Sequence, residues 1–194
     1  MKFTKFKCLK NCENVRIISS NKFFNDSNGR MSVIFEESQI NGETKEDFKI
    51  NSIFRISTPF NAFHGMECQF GKIPSKIMIS NDFGLARFFI VNANPNSDNF
   101  GESDTVILNK GSQLYIPEYH FWGFLTISRK CDMTIMTSGV FDPEKYHKID
   151  ILDFQDLGKF EKWNFDKCRF GNKNNLESTC DFDKKLFEKL NEIE

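Results

Sequence analysis

The chain predicts an all-β fold of antiparallel strands arranged as a sandwich or barrel, and three observations carry that expectation. Up to about residue 140, short apolar segments recur roughly every 8 to 15 residues, a strand-like spacing. Compact turn signals stand between them, at Asn28-Gly29, Asn81-Asp82-Phe83-Gly84, Asn94-Pro95-Asn96-Ser97 and Asn109-Lys110-Gly111. No helical periodicity interrupts the series, as crossover helices would in a parallel sheet.

Met31 to Glu36 opens the series. In Phe48 to Ile56, the residues Phe48, Ile50, Phe54 and Ile56 fall on one side of a period-two pattern, with Lys49, Asn51 and Arg55 on the other. That alternation marks a half-buried strand. Further strands are expected at Ala62–Phe70, Lys76–Ile79, Ala86–Val91, Thr105–Leu108, Gln113–Ile116, Gly123–Ile127 and Met133–Thr137. The tail differs. Phe182, Leu186, Leu190 and Ile193 recur at helical spacing behind a capping pair, Ser178 and Asp181, which predicts a short C-terminal helix. One β domain over residues 1–165 is therefore expected, followed over 166–194 by a polar linker and an amphipathic helix.

Composition narrows the function classes. With 194 residues and 39% hydrophobic content, the chain is long enough for one well-filled core. Its 23 Phe accompany abundant Ile, Lys and Asn, a compositional bias that removes single Phe residues as functional signals. Twenty-six basic and 27 acidic residues spread along the chain leave a net charge of −1 and no basic track for nucleic acid. No apolar run approaches membrane-spanning length, and the basic N-terminus lacks the apolar core of a secretory signal. A cytoplasmic protein without membrane or nucleic-acid partners is expected. Its 6 cysteines are then expected as thiols. Cys8 and Cys12 have zinc-like spacing but no second Cys or His pair nearby, so no structural zinc is expected.

The most informative stretch is Gln113 to Ser128, QLYIPEYHFWGFLTIS: a strand, a turn containing Pro117, and a second strand carrying Trp122. Three other segments stand with it in a fixed order. They are Phe24-Asn25-Asp26-Ser27-Asn28-Gly29-Arg30-Met31, then Ala62-Phe63-His64-Gly65-Met66-Glu67-Cys68-Gln69, then Phe141-Asp142-Pro143-Glu144 followed by Asp153-Phe154-Gln155-Asp156-Leu157-Gly158. Lys76-Ile77 and Asn99-Phe100-Gly101 lie between the second of these and the Gln113 stretch. In order and spacing these segments resemble the dTDP-4-dehydrorhamnose 3,5-epimerase family over roughly residues 15 to 160. The resemblance implies a cupin-type jelly-roll barrel, a homodimer, and a nucleotide-linked 4-keto-6-deoxy sugar as ligand. It implies no cofactor and no metal, and no His-x-His motif of a metal-binding cupin is present.

In that family a His removes protons beside the ketone, a Lys stabilises the enolate, and a Tyr returns the proton from the opposite face. Position by position, the base falls on Glu67, the Arg before it on His64, the second His on Trp122, the Tyr near Ile135, and the Arg of the first motif on Asn28. The supporting Asp falls on Phe154 beside Asp153, and Lys76 alone keeps its type. Glu67, Lys76 and His120 are therefore the candidate catalytic residues. His64, Asn28, Gln69, Trp122 and Tyr115 are the candidate substrate contacts, with Tyr115 or Tyr119 a proton donor only if turned inward.

Plainer readings stand beside these. Glu67 also suits an ordinary strand residue, solvated or paired with Lys76, His64 a hydrogen-bonded histidine at the barrel mouth, His120 a surface or capped residue at the turn after Pro117, and Trp122 core filling. Two functions follow, each with its own signature. One is a nucleotide-sugar epimerase or ketoisomerase of surface-polysaccharide biosynthesis; the other is a non-catalytic sugar or nucleotide-sugar binder, or the partner of an active paralogue. A barrel mouth closed by Trp122 would leave a scaffold.

Overall fold

In a computed structural model of the chain, the described residues are 4–20, 23–27, 29–69, 75–94, 96–140 and 146–148. Thirteen strands and one helix follow in order: β1 Thr4–Cys8, β2 Arg16–Ser20, β3 Phe23–Asp26, β4 Gly29–Ser32, α1 Glu37–Thr44, β5 Ser52–Pro59, β6 Phe63–Gln69, β7 Ile77–Phe83, β8 Leu85–Asn92, β9 Ser103–Asn109, β10 Ser112–Ile116, β11 His120–Thr126, β12 Lys130–Thr137 and β13 Tyr146–Lys148. Six strands form one sheet in the order β1-β2-β10-β7-β12-β5; five form a second in the order β13-β6-β11-β8-β9; β3 and β4 form a separate hairpin. Every pairing is antiparallel. The all-β expectation holds.

The two larger sheets share one core. Ile79, Leu114, Met133 and Ile135 from the six-stranded sheet pack with Phe88, Ile90, Trp122 and Phe124 from the five-stranded sheet. Alternate residues of the first sheet face the other way. Ile18, Met78, Tyr115 and Met136 form an outer cluster with Ile40 of α1 and with Phe48. A strand covered on both faces buries consecutive residues, and β10 does so from Gln113 to Ile116.

That second cluster corrects the reading of Phe48 to Ile56 as one strand face. Phe54 and Ile56 join the inter-sheet core, whereas Phe48 and Ile50 belong to the outer cluster, and β5 begins only at Ser52. The chain bends between them, with the backbone N–H of Phe48 donating to Asn41 Oδ1 at 2.9 Å. Asn81 to Phe83, expected in a turn, continue β7, and the reversal is concentrated at Gly84, whose φ is +85°. The helix present, α1, was not expected, while the expected C-terminal helix, Ser178, Asp181 and all of 166–194 lie outside the described residues. Among the described residues no helix is long and apolar enough to cross a membrane.

Candidate functional site

The inner face of β11 organises the site. Trp122 and Phe124 both belong to the inter-sheet core, and side chains two apart on a strand share a face, so His120 points the same way. Across the ladder Trp122 stands opposite Glu67, and Phe124 opposite His64. Directly paired residues share a face, which brings His64 and Glu67 inward as well.

His64 and Glu67 are three apart, a spacing that would put them on opposite faces of a regular strand. A bulge restores the match: three steps on β6 oppose two on β11, with the irregularity between Trp122 and Phe124. Gly65 makes the bulge possible at φ +101°. A Cβ there would stand 2.6 Å from both Gly123 Cα and Trp122 O, so the two strands approach as closely as they do because both positions are glycine. The result is a His64 Nε2 to Glu67 Oε1 separation of 3.9 Å, with the His64 ring lying 5.5 Å from that of Phe124 at 32°. Glu67 is buried at 7% exposure.

Lys76 is not part of this pair. Its neighbour Ile77 faces the core, while Lys76 Nζ lies 3.2 Å from Glu46 Oε2, on the outer side of the six-stranded sheet. Tyr115 donates its hydroxyl to the same Glu46 oxygen at 2.6 Å. Burial, and then the Glu46 carboxylate, push the Tyr115 phenol far above its ordinary value, fixing it as a neutral donor. Tyr115 is thus turned away from the space between the two sheets, so the condition for its use as a proton donor there is not met. Ile135, near which the resemblance sets the family's Tyr, is a core side chain. Gln69 ends β6 opposite Tyr146, and Asn28, Asp153 and the fourth motif lie outside the described residues.

Beyond Trp122, at the β11 start, four connections meet in a pocket of about 210 Å³. The β1–β2 loop supplies Glu13 and Asn14, the β8–β9 connection Asn92 and Asn94, the β10–β11 turn Pro117 to His120, and the segment after α1 Glu46. The first loop is tied down by backbone N–H groups of Asn11 and Cys12, donating to Asp104 Oδ2 at 2.7 and 2.8 Å. Asn99 Nδ2 donates to Glu13 Oε1 at 3.0 Å. Asn14 and Tyr119, at φ +61° and +65°, bend the rim into left-handed backbone that non-glycine residues seldom adopt.

His120 is 5% exposed, and its Nδ1 lies 3.0 Å from the carbonyl oxygen of Glu118. A carbonyl accepts only, so Nδ1 carries the proton and Nε2 presents a lone pair. Burial holds the imidazole below its ordinary value, keeping it neutral. Among the described residues, His120 Nε2, Glu118 Oε2 and Trp122 Nε1 are buried without hydrogen-bond partners. The pocket's three carboxylates escaped sequence reading because they come from three separated segments; the one local signal was the polar Glu118-Tyr119-His120 run between two apolar strands.

Among the described residues no group of three His, Cys, Asp or Glu is placed to hold a metal ion. Cys8 and Cys12, weighed above as zinc ligands, diverge. Cys12 Sγ is buried 3.4 Å from Ile90 O, and exposed Cys8 receives Arg16 Nη1 at 3.0 Å.

Two facing antiparallel sheets with polar groups gathered on the inner wall of one define a cupin-type jelly-roll protein. The profile of the dTDP-4-dehydrorhamnose 3,5-epimerase family matches residues 11–166, and the chain belongs to that family. No curated protein sequence matches it significantly. Among solved structures, dTDP-4-dehydrorhamnose 3,5-epimerase from Elizabethkingia anophelis superposes with a TM-score of 0.76 at 18% identity, covering 88% of this chain and 92% of that one. dTDP-6-deoxy-D-glucose-3,5-epimerase from Legionella pneumophila, in complex with dTDP-4-keto-L-rhamnose, gives 0.76 at 18% identity over 87% and 88% of the two chains. A mutant 3'-monoepimerase from Streptomyces bikiniensis, in complex with dTDP, gives 0.72 at 17% identity over 83% and 80%.

Proposed function

We propose that this chain acts on a nucleotide-linked 4-keto-6-deoxy sugar, with Glu67 removing a proton from a carbon beside the ketone. The observation that carries the reading is the Glu67–His64 pair on the inner face, next to Trp122. A ketone acidifies its neighbouring C–H bonds, so a carboxylate held out of water within reach of that carbon suffices as base. His64, beside it, is the cationic or hydrogen-bonding group for the developing enolate, the role that Lys76 cannot fill from across the sheet. The ligand class is supported by family membership and by the dTDP-4-keto-L-rhamnose complex of the Legionella protein. The family also supports a homodimer working in cytoplasmic deoxysugar synthesis for surface polysaccharide.

Inverting a centre needs an acid on the face opposite the base. The resemblance sets the family's Tyr near Ile135, a core side chain, and Tyr115 points outward. One-face chemistry is therefore the form of the activity: return of the proton to the carbon it left, or its delivery on the same face to the former carbonyl carbon of the enediol as the neighbouring hydroxyl becomes the ketone. Incubation with dTDP-4-keto-6-deoxyglucose in deuterium oxide should place one deuterium beside the ketone, and Glu67→Gln should abolish the incorporation. Absence of exchange for every 4-keto nucleotide sugar, with binding retained, would instead establish a non-catalytic binder. That second reading is favoured by Trp122, whose indole occupies the interior at 1% exposure.

A further inference from the structure

The pocket at the β11 start has a donor–acceptor balance that selects its occupant. We infer that it holds the primary ammonium group of an amino sugar. The inference rests on the nucleotide-sugar reading above and adds the substituent that the sugar bears.

Acceptors dominate the walls. His120 Nε2 presents a lone pair because Nδ1–H is committed to Glu118 O, and it has no partner although His120 is 95% buried (5% exposed). Glu118 Oε2 is likewise buried and unpartnered. Glu13 and Glu46 add two more carboxylates; Glu46 has a cation against it, Lys76 at 3.2 Å, and Glu13 Oε1 accepts from Asn99 Nδ2 at 3.0 Å. The nearby amide of Asn92 is spent: its Nδ2 donates to Ser97 Oγ at 2.9 Å and its Oδ1 accepts from the backbone N–H of Asn94 at 3.0 Å. A diphosphate brings only acceptors and negative charge, so this pocket repels it. An ammonium brings three donors and a positive charge. The volume of about 210 Å³ lies below the roughly 300–1,000 Å³ of sites for drug-sized ligands, and suits one pyranose ring rather than a whole nucleotide sugar. His120 stands two residues from Trp122, about 7 Å along the strand, which sets the pocket at the end of the β11 row that faces Glu67.

Calorimetry on the full chain near neutral pH tests the inference with a dTDP-3-amino-3,6-dideoxy sugar, whose C4 is left for the ketone, its N-acetyl derivative, dTDP-glucose and free D-glucosamine. The free amine should bind at least about tenfold more tightly than the acetylated or hydroxyl counterpart, as charge complementarity requires. Glu118→Gln should erase that preference, and so, in large part, should Glu13→Gln at the exposed rim, where folding is not at stake. Equal affinity for amine and hydroxyl sugars overturns the inference and leaves the nucleotide-sugar reading standing. Binding of D-glucosamine with no binding of any dTDP sugar upholds the pocket and removes that reading. Failure of every amine to bind, or a preference that survives both substitutions, overturns the inference.

Discussion

Lys76 shows how a residue of the right type is diverted by its neighbours. Glu46 Oε2 takes both the Tyr115 hydroxyl and the Lys76 ammonium, and all three side chains are largely shielded, so the group acts as a clasp between the α1–β5 connection and the six-stranded sheet. Charge-assisted contacts of this kind contribute about 1–3 kcal/mol when partly shielded. Lys76→Met should therefore lower stability to urea by about 1–2 kcal/mol while leaving deuterium exchange of a 4-keto sugar unchanged. Loss of exchange with stability intact would return Lys76 to the catalytic centre. His120 makes a pH-dependent contribution with a definite sign. Burial lowers its folded-state value below the ordinary 6.5, so below that pH the unfolded chain binds the proton that the folded chain refuses. Stability present above pH 6.5 is thus lost as pH falls through that value, with a slope of up to about 1.4 kcal/mol per pH unit. Urea midpoints between about pH 7.5 and about pH 5 should fall less steeply in His120→Gln than in the parent. Asp132, held low by Ser57 and Lys130, acts only below its ordinary 3.8 and is common to both proteins. Identical slopes would show that His120 binds its proton equally in the folded and the unfolded chain.

At the scale of elements, the legible parts of the sequence are those whose neighbours do not override local pattern. Strands β6, β8, β9 and β12 lie close to their apolar segments because turn residues bracket them on both sides. Strand β2 was invisible: Ile17 packs into the inter-sheet core and Ile18 into the outer cluster, so both faces are apolar and no alternation remains. Helix α1 was invisible for the opposite reason. Ile40 and Thr44 are its buried residues, too few for an amphipathic stripe, and the helix forms because Ile40 docks beside Phe48. Its end is strained, with exposed Lys45 in the left-handed region at φ 58°. Lys45→Gly should raise stability by about 0.5–1 kcal/mol, since only glycine adopts that conformation without a steric cost; an unchanged urea midpoint would mean the strain is offset elsewhere. The bulge of β6 is the other element the sequence concealed, because Gly65 sits inside the expected strand Ala62–Phe70 and nothing marks it as a bulge until Gly123 is seen against it. Gly65→Ala should cost at least about 2–3 kcal/mol, because both a positive φ and a backbone overlap stand against it. Thermal unfolding of the variant would measure that loss.

For the whole molecule, the question is what Trp122 contributes between the two sheets. Its indole lies among core residues of both sheets, and its Nε1 has no hydrogen-bond partner, so its contribution is volume and apolar contact rather than polar bonding. That separates two substitutions. Trp122→Phe keeps most of the contact, removes an unsatisfied N–H, and should cost no more than about 1.5 kcal/mol. Trp122→Ala opens a cavity between the sheets and should cost about 3–5 kcal/mol, a large share of the roughly 5–15 kcal/mol that stabilises a domain. Both losses should appear as a shift of one cooperative urea transition, because the layer that Trp122 fills belongs to the two sheets jointly. If Trp122 instead served mainly as a sugar platform, Trp122→Phe would weaken nucleotide-sugar binding while Trp122→Ala left the urea midpoint nearly in place. A large stability loss in the Ala variant, with ligand affinity preserved in the Phe variant, would establish that the tryptophan holds the sheets together and that the work on the sugar falls to Glu67 and His64 beside it.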